Sequence, residues 1–204
     1  MSKYLHLRRP AKAPGQMFKI ERTAFYDDWW ARFGNADLRK AVEHFGIDTL
    51  RRSSCLDGFH NWLTEINFRG RRCVEIGTCK GMTALVLARN FQEVVTIDII
   101  PDEEKRAIAE YCGIRNIRYL DISDNDEKAA IIKGLDFDAA YCDGNHERDA
   151  ETDFSLVRKC GRVLFHEYWP LQPPIWELVN RLRECGTIQT HGTLALWTHR
   201  PPTN

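Results

Sequence analysis

The spacing of apolar positions changes near Gly70. Before Gly70, apolar residues recur every three or four positions, which is typical of amphipathic helices. After it, short apolar runs alternate with helical patterns, and an uninterrupted apolar run is typical of a strand that is covered on both faces. The pattern predicts an N-terminal arm and helical extension over residues 1–69 and a β/α domain over residues 70–204.

The C-terminal part alternates predicted strands with predicted helices. This alternation implies a mostly parallel sheet with helices on both faces, and His191-Gly192 predicts a closing antiparallel hairpin. The expected fold is therefore α/β and Rossmann-like, with a seven-stranded sheet and an N-terminal helical extension. The predicted strands are 72–77, 94–99, 117–121, 137–142, 162–166, 187–190 and 194–197, and the predicted helices are 81–91, 102–112, 124–133, 147–159 and 173–184.

The N-terminal part has an aromatic stripe at helical spacing, which includes Phe25, Tyr26, Trp29 and Trp30. Such a stripe most often belongs to a core. Tandem tryptophans also suit a lid over a pocket or the surface of a homodimer. The first 16 residues are basic and contain proline and glycine, which predicts a solvated arm.

Composition limits the classes of function. Acidic and basic residues balance at 29 each, so no global field draws the chain to nucleic acid, and only the basic arm and Arg69, Arg71 and Arg72 keep that partner open. No apolar run approaches the roughly 20 residues of a membrane helix, and the basic start does not continue as a signal peptide. The seven cysteines are scattered, which predicts reduced thiols. We expect a cytoplasmic protein without a membrane partner.

The most informative segment is Glu75-Ile76-Gly77-Thr78-Cys79-Lys80-Gly81, which joins a predicted strand to a predicted helix. Gly77 allows a tight turn, and Gly81 lets the helix begin close to the sheet with its N–H groups toward a ligand. A dinucleotide fingerprint needs glycines where Cys79 and Met82 stand. An acidic strand end also disfavours a pyrophosphate, whereas it suits the cationic sulfonium of S-adenosylmethionine.

Acidic residues recur at the ends of four successive predicted strands, at Glu75, Asp98, Asp121 and Asp143. Ligands of open α/β sheets bind at the carboxyl ends of the strands. Asp98 follows the turn by about 20 residues, where an acid can bind ribose hydroxyls, and Asp121 could accept from an adenine amino group. A single aspartate at such a place is often a helix cap, but four in register favour a ligand site.

At these residues the chain resembles class I S-adenosylmethionine-dependent methyltransferases, over about residues 55–200. It is most similar to the branch that has Asp-Gly-x-His after the fourth strand and His-Asp after the fifth. Here these motifs are Asp143-Gly144-Asn145-His146 and His166-Glu167. That branch includes small-molecule and sugar O-methyltransferases, some of them magnesium-dependent, and cephalosporin-hydroxylase-like proteins.

The resemblance implies roles for the residues of these motifs. Asp143 and His146 would face the reacting methyl group, and His146 and His166 are candidate bases because an imidazole titrates near neutral pH. A capping role for His146 and a buried structural role for His166 stay open. The implied cofactor residues are Glu75, Gly77, Thr78 and Gly81 at the methionine end, Asp98 at the ribose, Asp121 and Ile122 at the adenine, and Asp143 near the methyl.

The resemblance also implies a divalent metal, because related enzymes use an acid after the fourth strand and paired acids after the fifth. Asp143 fits the first position, and His166 and Glu167 occupy the pair. Oxygen ligands suit Mg²⁺, whereas a histidine shifts the preference toward Mn²⁺, iron or zinc. Tyr168 and Trp169, directly after the pair, are expected to wall the acceptor pocket.

The expected activity is methyl transfer from S-adenosylmethionine to a hydroxyl of a small molecule or sugar. A catalytically inactive binding or assembly protein of the same fold stays open, because Cys79 replaces the usual middle glycine and Glu167 replaces an aspartate. A nicotinamide-dependent oxidoreductase is a third hypothesis, and the glycine spacing argues against it.

Overall fold

The computed structural model describes residues 35–46, 59–101, 103–145 and 147–200. The basic arm, the aromatic stripe at Phe25–Trp30 and the candidate base His146 lie outside the described residues, so the predicted division at residue 69 stays a prediction. Across the described ranges, no helix combines the length and the apolar character that crossing a membrane requires.

The described residues form an alternating β/α chain behind two helices. The helices are α1 (Ala36–Phe45), α2 (Phe59–Glu65), α3 (Met82–Leu87), α4 (Glu103–Tyr111), α5 (Asn125–Gly134), α6 (Ala150–Val157) and α7 (Pro173–Arg181). The strands are β1 (Gly70–Ile76), β2 (Phe91–Asp98), β3 (Ile117–Asp121), β4 (Ala139–Cys142), β5 (Arg162–Phe165), β6 (Gly186–His191) and β7 (Leu194–His199). Short 3₁₀ turns follow α6 and α7.

The strands form one sheet in the order β3-β2-β1-β4-β5-β7-β6. Strands β1 to β5 run parallel, and β7 lies antiparallel between β5 and β6. The prediction of a mostly parallel, seven-stranded sheet with a C-terminal hairpin is confirmed. The chain crosses from one side of β1 to the other between β3 and β4, so the strand order reverses at the carboxyl ends of β1 and β4.

Two apolar layers cover the sheet. One layer packs α1 to α4 against one face, with Leu38, Phe59 and Leu85 buried in it. The other packs α5 to α7 against the opposite face, with Ile132 and Phe154 in it. Since both faces are covered, the five inner strands each contain a run of consecutive buried residues, as the sequence pattern predicts, whereas the edge strands β3 and β6 do not.

One boundary differs from the prediction in an instructive way. The helix predicted over 81–91 ends at Leu87, and β2 begins at Phe91 instead of residue 94. Phe91 is buried and pairs with Gly70 at the start of β1, so the sheet extends β2 backward and shortens the helix. Tertiary pairing decided this boundary, because the local apolar pattern fits a helix or a strand equally well.

Candidate functional site

A cavity of about 710 Å³ opens at the carboxyl ends of β1, β2, β4 and β5, where the strand order reverses. Its size is that of a small-molecule site. One wall is apolar, and the remaining walls carry several carboxylates. The apolar wall consists of Ile97, Ile99, Ile100 and Ile122, and the acidic lining consists of Asp98, Asp143, Asp149, Asp153 and Glu167.

The structure separates the predicted site residues into two groups. Six of them line the cavity: Gly77, Asp98, Ile122, Asp143, His166 and Glu167. The other four described residues, Glu75, Thr78, Gly81 and Asp121, lie outside its lining, and Thr78 among them donates to Asp98, which lines it.

The turn from Gly77 to Gly81, the ligand turn, closes one end of the cavity. Gly77 has φ 92°, and a Cβ there would lie 2.2 Å from the carbonyl oxygen of Asp143. Only glycine fits this contact between the chain segments that follow β1 and β4. The N–H of Gly81 donates to the carbonyl of Thr78 at 2.8 Å and completes the turn.

Asp98 fixes the ligand turn from β2. Its Oδ2 accepts from the N–H groups of Thr78 at 2.9 Å and Cys79 at 2.8 Å, and its Oδ1 accepts from the N–H of Ile100 at 3.0 Å. Cys79 has φ 47°, the left-handed conformation that glycine adopts at least cost. Cys79 thus occupies a backbone conformation that suits glycine, and it lines the cavity.

Glu75 lies behind the ligand turn and is fully buried. Its Oε2 accepts from the Thr96 hydroxyl at 2.5 Å, and the Thr96 hydroxyl lies 2.6 Å from that of Thr78. Burial raises the pKa of the Glu75 carboxyl well above its ordinary value, the bond from Thr96 opposes this, and the charges of Asp143 and Asp98 add to it. The hydroxyls of Thr96 and Thr78 thus link Glu75 to the ligand turn.

Asp121 holds α4 against the sheet. It accepts from the buried Lys105 ammonium at 2.5 Å and from Arg106 at 2.7 Å. These bonds lower the pKa of the Asp121 carboxyl, and the bond from Lys105 has the largest effect. Asp121, at the end of β3, thus forms ion pairs with Lys105 and Arg106. Its neighbour Ile122 contributes to the cavity wall.

The opposite end of the cavity is formed by Asp143 after β4 and His166 after β5. The Oδ1 atom of Asp143 lies 2.8 Å from Nδ1 of His166, and its Oδ2 accepts from the hydroxyl of Tyr141 at 2.9 Å. Both side chains of the Asp143–His166 pair are about nine-tenths buried. A histidine whose Nδ1 faces a carboxylate presents Nε2 as a base.

Glu167 follows His166 in a tight turn and lines the cavity. It has φ 57°, and its carbonyl accepts from the N–H of Trp169 at 2.9 Å. Among the described residues, no group of three or more His, Cys, Asp or Glu side chains could hold a metal ion. Asp143 and His166 lie within hydrogen-bond distance of each other, and the predicted metal set stays a prediction.

Sequence reasoning missed two features of the site. Lys128 and Asp153 line the cavity as a buried ion pair at 2.5 Å, and Asp153 lies close beneath Gly144 in the loop after β4. A lysine on the apolar face of α5 is the signal that could have indicated a buried partner. Tyr141 on β4 is the second feature, and its hydroxyl donates to Asp143 just after that strand.

No protein-family model and no curated protein sequence matches the chain. Solved structures do match. An O-methyltransferase of Bacillus cereus in complex with SAH has a TM-score of 0.61 at 16% identity, covering 81% of this chain and 91% of that one. The O-methyltransferase TomG of Streptomyces achromogenes, in complex with SAM, has a TM-score of 0.60 at 18% identity, covering 82% and 91%.

A further matching structure is that of a protein named for a different methyl acceptor, ribosomal RNA. An rRNA methylase of Streptococcus thermophilus has a TM-score of 0.52 at 18% identity, covering 70% of this chain and 95% of that one. At these identities the likeness shows the fold alone, a Rossmann-like fold that the chain shares with these methyltransferases. The fold alone leaves the acceptor undetermined.

Proposed function

We propose that the chain binds S-adenosylmethionine in this cavity and transfers its methyl group to a hydroxyl of a small molecule. The observation that carries the proposal is that one cavity contains both a fixed backbone turn and a paired carboxylate and imidazole. The ligand turn is fixed by Asp98 at one end, and the Asp143–His166 pair lies at the other. The likeness of the fold to SAH- and SAM-bound O-methyltransferases supports it.

The charge of the cavity supports a cationic cofactor. Carboxylates of Asp98, Asp143, Asp149 and Glu167 line it, and the Lys128 ammonium there is paired with an acid of its own. Such a lining repels a pyrophosphate and attracts a sulfonium or an ammonium group. This is the physical reason to prefer S-adenosylmethionine over a dinucleotide.

Asp98 has room for one ribose hydroxyl. An ionised carboxylate offers about four acceptor sites. Oδ2 already accepts two backbone N–H groups and Oδ1 accepts one. We therefore assign one ribose hydroxyl to Oδ1 of Asp98, where the residue pattern suggests two.

The adenine would lie against the isoleucine wall of the cavity, which includes Ile99, Ile100 and Ile122. Its polar edge would meet Asn125 at the start of α5 and Asp149 before α6, which line the cavity and bond to each other at 3.4 Å. Asp121 is unsuited to this role because its carboxylate is held by Lys105 and Arg106.

His166 would act as the base. Nε2 takes the proton of the acceptor hydroxyl while the acceptor oxygen forms a bond to the methyl carbon and the carbon–sulfur bond breaks. Asp143, at 2.8 Å from Nδ1, stabilises the imidazolium that forms. The products are the methyl ether, S-adenosylhomocysteine and a proton on His166 that is released to water.

Isothermal titration calorimetry with S-adenosylmethionine and S-adenosylhomocysteine tests the cofactor. We expect saturable binding to the wild-type chain and a loss of about 100-fold or more in Asp98→Ala, because two N–H groups of the ligand turn and the N–H of Ile100 lose their acceptor. Asp136→Ala, which removes an exposed acid of the opposite end of the sheet, should bind like the wild type. No heat of binding with the wild-type chain would refute the proposal.

Transfer of labelled methyl groups to a panel of alcohols, phenols and sugars tests the activity. Labelled product with the wild type and about 100-fold less with His166→Gln are the expected results. Cofactor binding without product across the panel would favour the binding or assembly protein.

A further inference from the structure

Tyr141 connects the Asp143–His166 pair to the interior of the sheet. It is fully buried, and its ring packs 5.3 Å from that of Phe59 on α2. Side chains two positions apart on a strand share a face, so the Tyr141 hydroxyl reaches Oδ2 of Asp143 at 2.9 Å. The bond has one direction, because an ionised carboxylate only accepts.

The two oxygens of Asp143 have separate partners. Oδ2 accepts from Tyr141, and Oδ1 faces Nδ1 of His166 at 2.8 Å. The last torsion of an aspartate side chain is broad and weakly restrained by itself. A hydroxyl fixed to one oxygen therefore sets the plane of the carboxylate, and this plane decides where the other oxygen points.

We propose that Tyr141 is a positioning residue that holds Asp143 in the plane that keeps the proton of neutral His166 on Nδ1. In that tautomer Nε2 carries the lone pair. The effect of this positioning on catalysis rests on the proposed function, in which Nε2 of His166 is the base. The positioning itself does not require the cofactor or the acceptor.

Nitrogen-15 NMR of histidine side chains, in the apo protein at one neutral pH, tests the proposal directly. The chain has seven histidines, and His166→Gln identifies the signals of His166 by their loss. In the wild type we expect one tautomer of neutral His166, with Nδ1 protonated. In Tyr141→Phe, which keeps the ring and its packing, we expect both tautomers in comparable amounts.

Tyr119→Phe is the matched control. Tyr119 lies on the same face of the sheet as Tyr141, with β1 and β2 between their strands, and its hydroxyl donates to the backbone carbonyl of Lys105 at 3.2 Å. The Tyr119→Phe variant should give the same His166 spectrum as the wild type. Equal changes in the Tyr119 and Tyr141 variants would refute the proposal, because they would reflect a general loosening of the sheet.

Asp143→Asn gives a second measurement on a different residue. It should also populate both tautomers, since the amide replaces the carboxylate that accepts from Nδ1. A His166 spectrum unchanged by either Tyr141→Phe or Asp143→Asn would overturn the proposal.

Calorimetry with S-adenosylmethionine keeps the two proposals separate. Tyr141→Phe should change the cofactor dissociation constant by less than about threefold, because Tyr141 contacts neither the ligand turn nor Asp98 in the hydrogen bonds of the site. Absence of binding to the wild type would refute the proposed function and leave the tautomer result standing.

Discussion

The two ends of the cavity are built in different ways. At the ligand turn, backbone atoms form the surface: Gly77 lies against the chain after β4, and N–H groups of the turn bind Asp98. At the other end, the side chains of Asp143 and His166 form it, and two hydrogen bonds join them to each other and to the buried Tyr141. The first kind of site leaves a glycine pattern in the sequence, and the second depends on which strands become neighbours.

The acids at the four strand ends sharpen this comparison. They resemble one another in sequence, yet each has a different environment. Glu75 is buried under the turn, Asp98 binds backbone N–H groups, Asp121 pairs with two cations, and Asp143 holds a histidine. Position at a strand end predicts proximity to the cavity, but the partners decide the role.

The largest effect is expected at Gly77, where the two ends touch. Gly77→Ala places a methyl group 2.2 Å from the carbonyl oxygen of Asp143 at φ 92°. We expect a loss of about 3 kcal/mol or more of stability and no measurable S-adenosylmethionine binding. Denaturant unfolding and calorimetry measure both quantities.

Gly113→Ala is the control for Gly77→Ala. Gly113 has φ 72°, but a Cβ there meets nothing within 4 Å. It should cost only about 1–2 kcal/mol, the price of the left-handed backbone. Equal losses in the two variants would show that the close approach to Asp143 contributes nothing.

His166→Gln should separate the two ends. The amide cannot act as a base, so we expect methyl transfer to fall by about 10²–10⁴-fold. The ligand turn and Asp98 are unchanged, so the dissociation constant of S-adenosylmethionine should stay within about threefold of the wild-type value. A parallel loss of binding and rate would contradict the division of the cavity into a cofactor end and a base end.

The raised pKa of Glu75 predicts a pH dependence of stability. In the folded chain the carboxyl holds its proton more tightly than in the unfolded chain, because of burial. The stabilisation from this proton is complete below about pH 4 and is lost as the pH rises through the raised value. Glu75→Gln does not titrate, so its melting temperature relative to wild type should be higher at pH 8 than at pH 5.

The change should amount to a few degrees, since about 1 kcal/mol shifts the melting temperature by about 2–4 °C in a chain of this size. Thermal unfolding at both pH values measures it. Glu103→Gln, at an exposed position of α4, should show no such difference. An equal offset from wild type at pH 5 and pH 8 for Glu75→Gln would argue against a buried proton.

The smallest effect is expected at Cys79. Glycine would relieve the left-handed backbone at φ 47° by about 1 kcal/mol, and its greater freedom in the unfolded chain offsets much of this. Cys79→Gly should therefore change stability by less than about 1 kcal/mol and cofactor affinity by less than about threefold. Denaturant unfolding and calorimetry check this, and a tenfold gain in affinity would mean that Cys79 impairs the turn.

The sequence by itself determined the sheet, the hairpin and the ligand turn. Apolar runs identified strands that are covered on both faces, and Gly77 and Gly81 marked a turn that needs positive φ. These features depend on local backbone preference and on burial, which residue types report directly. The proximity of Asp143 to His166 was also predicted, because both follow parallel strands.

Only the tertiary structure decided what each side chain binds. Asp121 belongs to an ion pair because α4 carries Lys105 and Arg106 to it. Tyr141 reaches Asp143, and Lys128 reaches Asp153 from a neighbouring helix. The physical reason is that a hydrogen bond requires distance and direction within a few tenths of an ångström. Spacing along the chain fixes the faces of the elements, and the packing of one element on another fixes those distances.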